Sequence, residues 1–194
     1  IHSFFQLSFA PYIPGTKVPT SYAMTKQKIA LIKSIDLLVI DEISMVRADL
    51  LDAVDYALRK YRRNSKPFGG VQLLLIGDLQ QLAPVVKDEE WSMLKQHYPT
   101  PYFFSSNALC NTNYVTVELE KVYRQSDGHF LALLNEVREG NVSQQTLDAL
   151  NQRYLPNFVP QKSDGYIQLV THNWQAQQVN SHEMDKLPGQ TYTY

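Results

Sequence analysis

The chain is 194 residues long, enough for one or two small domains with real cores; 44% of it is hydrophobic and 19% charged, ordinary globular proportions. A formal net charge of −1 excludes a chain that binds nucleic acid by bulk charge, so any such surface must be local. The single cysteine, Cys110, excludes an intrachain disulfide and fits a reducing compartment, and no apolar run reaches the roughly 18 residues of a membrane span. The chain opens on Ile1-His2-Ser3-Phe4-Phe5, with no basic start, cleavage site or Met, which suggests a cut fragment.

Residues 13–20 (IPGTKVPT) carry two prolines and a glycine and read as a loop, and residues 22–33 as a short basic helix. Residues 37–40, LLVI, form a continuous apolar run of the kind found in parallel strands buried on both faces. Residues 49–62 follow as a helix with Leu50, Leu51, Val54, Leu58 and Tyr61 on one side. It ends in a basic cluster, Arg59 to Lys66, which reads first as a solvated end complementing the helix dipole and second as a DNA-backbone contact. Residues 73–76 form a second apolar run. Beyond a boundary near residues 103–113, a strand is expected at 115–118, helices at 129–139 and 143–154, a strand at 167–170, and a helix at 174–187 capped by Asn173. Strands alternating with helices predict an α/β fold with mainly parallel sheets. The histidines show no metal-ligand spacing, so no structural zinc is expected.

Chemistry concentrates in three places. In residues 37–45, LLVIDEISM, the apolar run stops at Asp41 and Glu42, where α/β sheets bind ligands. One acid there can hold magnesium and the other can orient or deprotonate an attacking water, the two tasks of phosphoryl transfer to water. Taken alone, two solvated acids after a strand explain the pattern equally well. In residues 74–85, LLIGDLQQLAPV, a second strand ends at a polar loop whose Gln81 can both donate to and accept from a phosphate or water. Adjacent strands would aim both clusters at one crevice. In residues 119–138, LEKVYRQSDGHFLALLNEVR, Arg124 is placed to neutralise charge on a transferring phosphate, although a surface arginine is the plainer reading of that residue alone.

In this order the three blocks resemble motifs II, III and IV of superfamily-one helicases of the 5′-to-3′ branch. The pairing of DEISM with GDLQQLAPV is most similar to the PIF-type family, with RecD-like helicases as neighbours. Residues 66–72 (KPFGGVQ), 122–125 (VYRQ) and 171–180 (THNWQAQQVN) are also family-like, and the opening IHSF resembles a shortened motif Ia. The resemblance implies RecA-like P-loop NTPase lobes, cut at both ends. Residues 1–110 would be the later part of the first lobe, with a small wedge insertion at about 8–34, and residues 111–194 the start of the second. It implies ATP and Mg²⁺ as cofactors, with Asp41 on the metal, Glu42 as catalytic base, Gln81 and Arg124 on the nucleotide, and His2 and Ser3 on single-stranded DNA. The partners implied are single-stranded DNA and duplex junctions, with no membrane, for a monomeric motor acting in repair, recombination or telomere maintenance. Its compartment would be the cytoplasm of a bacterium or the nucleus or mitochondrion of a eukaryote.

One departure stands out: no G-x-x-x-x-G-K-[ST] occurs, since none of the glycines at 15, 69, 70, 77, 128, 140, 165 and 189 begins it. The loop and lysine that cradle phosphates are therefore not in these residues, and the isolated segment is expected to be inactive. The competing readings are an inert DNA- or partner-binding module and a RecD-like subunit of a recombination nuclease.

Overall fold

The structure, a computed structural model, describes residues 1–161, 164–190 and 192. Two compact units divide the chain, Ile1–Ser143 and Gln144–Tyr194.

In the first unit, α1 (His2–Phe5) leads into a loop that leaves and returns through an antiparallel bridge between Leu7 and Thr20. Helix α2 (Lys26–Ser34) starts where the Thr25 hydroxyl accepts from Lys28 N at 3.2 Å. Strand β1 (Leu37–Ile40) pairs in parallel with β2 (Gln72–Leu75), in the register Leu37 to Gln72 through Ile40 to Leu75. Between them runs α3 (Ala48–Arg62), the crossover that a parallel pair requires. Leu51, Val54 and Leu58 are fully buried along its inner stripe and meet Ile40, Ile43, Ile32 and Phe68 in the main core.

Several of the charges on α3 are consumed internally. Arg62 Nη1 donates to the carbonyls of Ile32, Lys33 and Ile35 at 3.0, 2.9 and 2.7 Å, satisfying the free carbonyl end of α2. Its Nε donates to Gly69 O at 3.0 Å, and Arg59 pairs with Asp55 at 2.9 Å. These two members of the basic cluster thus brace the fold. Gly69 is obligatory where it stands: at φ 61°, a Cβ would lie 2.8 Å from Leu58 O. Asp52, buried on the same helix, accepts from Tyr98, Ser106, Asn107 and Ala108, and so fastens α3 to α5 (Asn107–Cys110). Helix α4 (Asp88–Leu94) packs Leu94 with Tyr98 and Ala48 in a smaller cluster. Helix α6 (Gly128–Glu139) closes the unit, capped by Asp127, whose carboxylate accepts from His129 N and Phe130 N, and ended by Gly140 in the left-handed region.

The second unit holds α7 (Gln144–Asn151) and α8 (Asn173–Met184). His172 occupies the position before α8, and Asn173 is its first helical residue, so the expected Asn173 cap is replaced.

Two expectations are corrected. Residues 115–118 and 167–170 are not strands: Val115, Val117, Ile167 and Leu169 are 76–92% exposed, and no ladder hydrogen bond to them is found among the described residues. Residues 114–117 line one cavity with residues 72–75 of β2 without taking their hydrogen bonds, and extended apolar sequence becomes a strand only when a neighbour does so. Nor are β1 and β2 buried on both faces. Leu38, Ile40, Leu73 and Leu75 face the core, whereas Leu37, Val39 and Leu74 are 46–49% exposed. An apolar run provides two apolar faces, but the helical layer lies on one of them. The α/β class with a parallel sheet stands as expected.

Candidate active site

The strand ladder continues past both strands and opens a gap for the acids. Ile76 N donates to Ile40 O at 2.9 Å, and Ile43 N donates to Ile76 O at 2.9 Å. Asp41 and Glu42 fall between these two bonds and project from the carboxyl end of β1. The ends approach so closely that a Cβ on Gly77 would lie 3.0 Å from Ile43 N and 3.2 Å from Ser44 N, so only glycine fits there unstrained.

Glu42 holds φ 52°, ψ 44°, a left-handed conformation rare for a glutamate and costing on the order of 1 kcal/mol. Strain of this kind persists where the surroundings impose it. Here the Asp41 Oδ1 accepts from Glu42 N at 2.9 Å, and Glu42 O accepts from Met45 N at 3.0 Å. Both side chains are exposed to solvent. With one Asp41 oxygen occupied by an N–H and the other facing solvent, the donor set fits a magnesium ion that takes one carboxylate and keeps waters.

The loop after β2 is organised by Asp78. Its Oδ1 accepts from Gln80 N at 3.0 Å, and its Oδ2 from the Gln81 side-chain amide at 3.3 Å. Arg138, on α6, lies against the same carboxylate, with Nε 3.2 Å from Oδ2. The Gln80 N–H foremost, then the Gln81 amide and Arg138, hold the Asp78 carboxyl below its ordinary range. Asp41 and Glu42 follow the end of β1, and the loop that carries Gln81 follows the end of the neighbouring β2.

Arg124 is exposed, in a stretch without regular structure, and no hydrogen bond or ion pair to it is found among the described residues. His2 sits in the short α1 with its ring 4.6 Å from that of Phe9, and its buried Nδ1 has no partner. Ser3 is exposed and offers its carbonyl to Lys28 Nζ at 2.7 Å. Among the described residues, no bond joins Arg124, His2 or Ser3 to Asp41 or Glu42. Asp78 and Arg138 are not among the residues that the sequence singles out; the signals for them are that Asp78 stands three residues before Gln81 in GDLQQ and that Arg138 ends the 119–138 block.

Parallel strands with paired acids at one carboxyl end and an amide-bearing loop at the next form the layout of an α/β nucleotide hydrolase. Residues 1–148 match the family described as PIF1-like helicase, and the chain belongs to that family. It is 36% identical over 163 residues to the ATP-dependent DNA helicase PIF1 of Saccharomyces cerevisiae, covering 84% of this chain and 18% of that protein. Against the Homo sapiens protein of the same name it is 37% identical over 157 residues, covering 81% and 23%. The chain thus spans about a fifth of the length of these curated relatives. The fold is similar to a crystal structure of Pif1 helicase from Bacteroides in complex with ADP-AlF3 and single-stranded DNA. The TM-score is 0.85 at 33% identity, over 97% of this chain and 44% of that one. A second Bacteroides Pif1 structure, bound to single-stranded DNA, gives 0.80 at 35% identity, over 97% and 43%.

Proposed function

We propose that this chain is the catalytic-edge segment of an ATP-dependent DNA helicase that couples ATP hydrolysis to 5′-to-3′ movement on single-stranded DNA and to strand separation at duplex junctions. The observation that carries the reading is the convergence of Asp41, Glu42 and the Gln81 loop on adjacent parallel strand ends, held by the Ile43 to Ile76 hydrogen bond. The relatives named above support it. In this reading Asp41 would hold a magnesium ion, whose charge would be supplied to the phosphates at this strand end. Glu42 accepts a proton from the attacking water. Its exposed carboxylate, on a backbone turned out of the ladder, is free to face that water. Gln81 presents its carbonyl oxygen while its NH₂ is held on Asp78. Arg124 reaches the γ-phosphate from solvent when the site closes, and His2 and Ser3 meet the DNA. Residues 1–110 and 111–194 belong to successive RecA-like lobes, with a wedge near 8–34, in a motor that works as a monomer.

The test uses the helicase to which the segment belongs. Glu42→Gln keeps nucleotide affinity within about threefold and lowers turnover by about a hundredfold or more, because water activation is lost. Near-full turnover in that variant rules Glu42 out as the base.

A further inference from the structure

Arg138 belongs to none of the site residues assigned above, yet it shares a carboxylate with one of them. Its Nε lies 3.2 Å from Asp78 Oδ2 and its Nη2 3.4 Å from Asp78 Oδ1, the side-on arrangement in which a guanidinium fixes a carboxylate plane. The same Oδ2 accepts from the Gln81 side-chain NH₂ at 3.3 Å. Asp78 thus meets both side chains through one carboxylate. With NH₂ on Asp78, the carbonyl oxygen is the end of the exposed Gln81 amide left for another partner.

We propose that Arg138 is a positioning residue for the hydrolytic reaction, acting through Asp78 to orient the Gln81 amide and thereby linking α6 to the nucleotide-facing loop. The proposal rests on the ATPase reading given above. Arg138 is half exposed and Asp78 is 24% exposed, so an ion pair of this kind contributes little to folding. Its loss therefore appears in the geometry of Gln81 rather than in the stability of the chain. Arg138 lies 60 residues downstream of Asp78, on α6, so a displacement of that helix would reach the amide through the Asp78 carboxylate. Lysine cannot reproduce the arrangement, because a single ammonium can neutralise Asp78 without fixing its plane.

Two measurements test this. In the helicase, DNA-stimulated ATP hydrolysis is compared for Arg138→Ala, Arg138→Lys, Gln81→Ala and the double variant Arg138→Ala/Gln81→Ala. Arg138→Ala is expected to lower kcat about tenfold, with KM for ATP and affinity for single-stranded DNA within about twofold, and Arg138→Lys to recover only part of the rate. The double variant should lose no more than Gln81→Ala alone, because both changes act through one amide. Multiplying losses, or an Arg138→Ala rate equal to the parent's, overturn the proposal. In the 194-residue chain, the Gln81 side-chain NH₂ signals, assigned by their loss in Gln81→Met, are followed by nitrogen–proton NMR. Arg138→Ala should shift them, and unmoved signals overturn the proposal. If the helicase hydrolyses no ATP, the ATPase reading fails by itself, and the NMR result still decides whether Arg138 orients Gln81.

Discussion

Replacing Asp52 with asparagine takes one accepting oxygen from a carboxylate on which five donors converge. Asp52 Oδ1 accepts from Ser106 Oγ at 2.5 Å and Ala108 N at 3.0 Å. Its Oδ2 accepts from Tyr98 Oη at 2.8 Å and from Asn107 N and Nδ2 at 3.2 Å each. Whichever way the new amide turns, its NH₂ faces one of these sets. Turned toward Ser106, it strands a fully buried hydroxyl and a buried backbone N–H. Turned toward Tyr98, it leaves one buried hydroxyl without its acceptor, while the part-buried Asn107 groups reach water. The second orientation is cheaper, and it still weakens every charge-assisted bond in the set. One buried donor left short costs about 1–3 kcal/mol, so the expected loss is about 2–3 kcal/mol. The assay is urea unfolding followed by the fluorescence of Trp91, which packs against the Leu94 and Tyr98 cluster, in a Trp174→Phe background. With a slope of about 2 kcal/mol/M, the midpoint should fall by about 1–1.5 M. A midpoint within about 0.2 M of the parent would refute the reasoning, because the donors would then be satisfied without the carboxylate.

Glu42→Gly should raise the urea midpoint, gaining on the order of 0.5–1 kcal/mol by relieving the left-handed glutamate, while abolishing ATP turnover in the helicase; a destabilised variant would show that the backbone there is not strained. Gly77→Ala should cost about 1–3 kcal/mol, measured by the same unfolding, because its Cβ would press on the backbone nitrogens of Ile43 and Ser44; an unchanged midpoint would mean the two strand ends can part freely. Burial foremost, then the negative charge of Asp52, push the Tyr98 phenol well above its ordinary value. Since the folded state holds that proton more tightly, its stabilisation is complete below about pH 10 and lost as pH rises beyond it. Unfolding midpoints between about pH 9 and 11 should therefore fall less steeply in Tyr98→Phe than in the parent; equal slopes would count against the shift.

What was legible in the sequence was local and periodic. The apolar runs at residues 37–40 and 73–76 announced two strands, since four consecutive aliphatic residues ending in acids or glycine have few other uses. The stripe of Leu51, Val54 and Leu58 announced α3, and the paired blocks DEISM and GDLQQLAPV announced Asp41, Glu42 and Gln81 at the strand ends. Helices α6, α7 and α8 fell within a few residues of their expected bounds for the same reason.

Tertiary structure decided the rest, because it depended on partners distant in sequence. Residues 115–118 carry a strand's composition, yet composition cannot supply the neighbour whose hydrogen bonds make a strand. Arg62 reads as one more surface cation until α2 brings three carbonyls to it. Asp52 reads as a polar gap in a helix until Tyr98 and Ser106, 46 and 54 residues away, close on it. Asp78 gains its second role only when α6 sets Arg138 against it. Periodicity along the chain thus located the helices, the strands β1 and β2 and the two acids after β1, but not whether every extended apolar run would find a ladder partner. The folded arrangement alone determined which charges act as braces and which carboxylate holds Gln81, since hydrogen bonds and ion pairs form between residues that only folding makes neighbours.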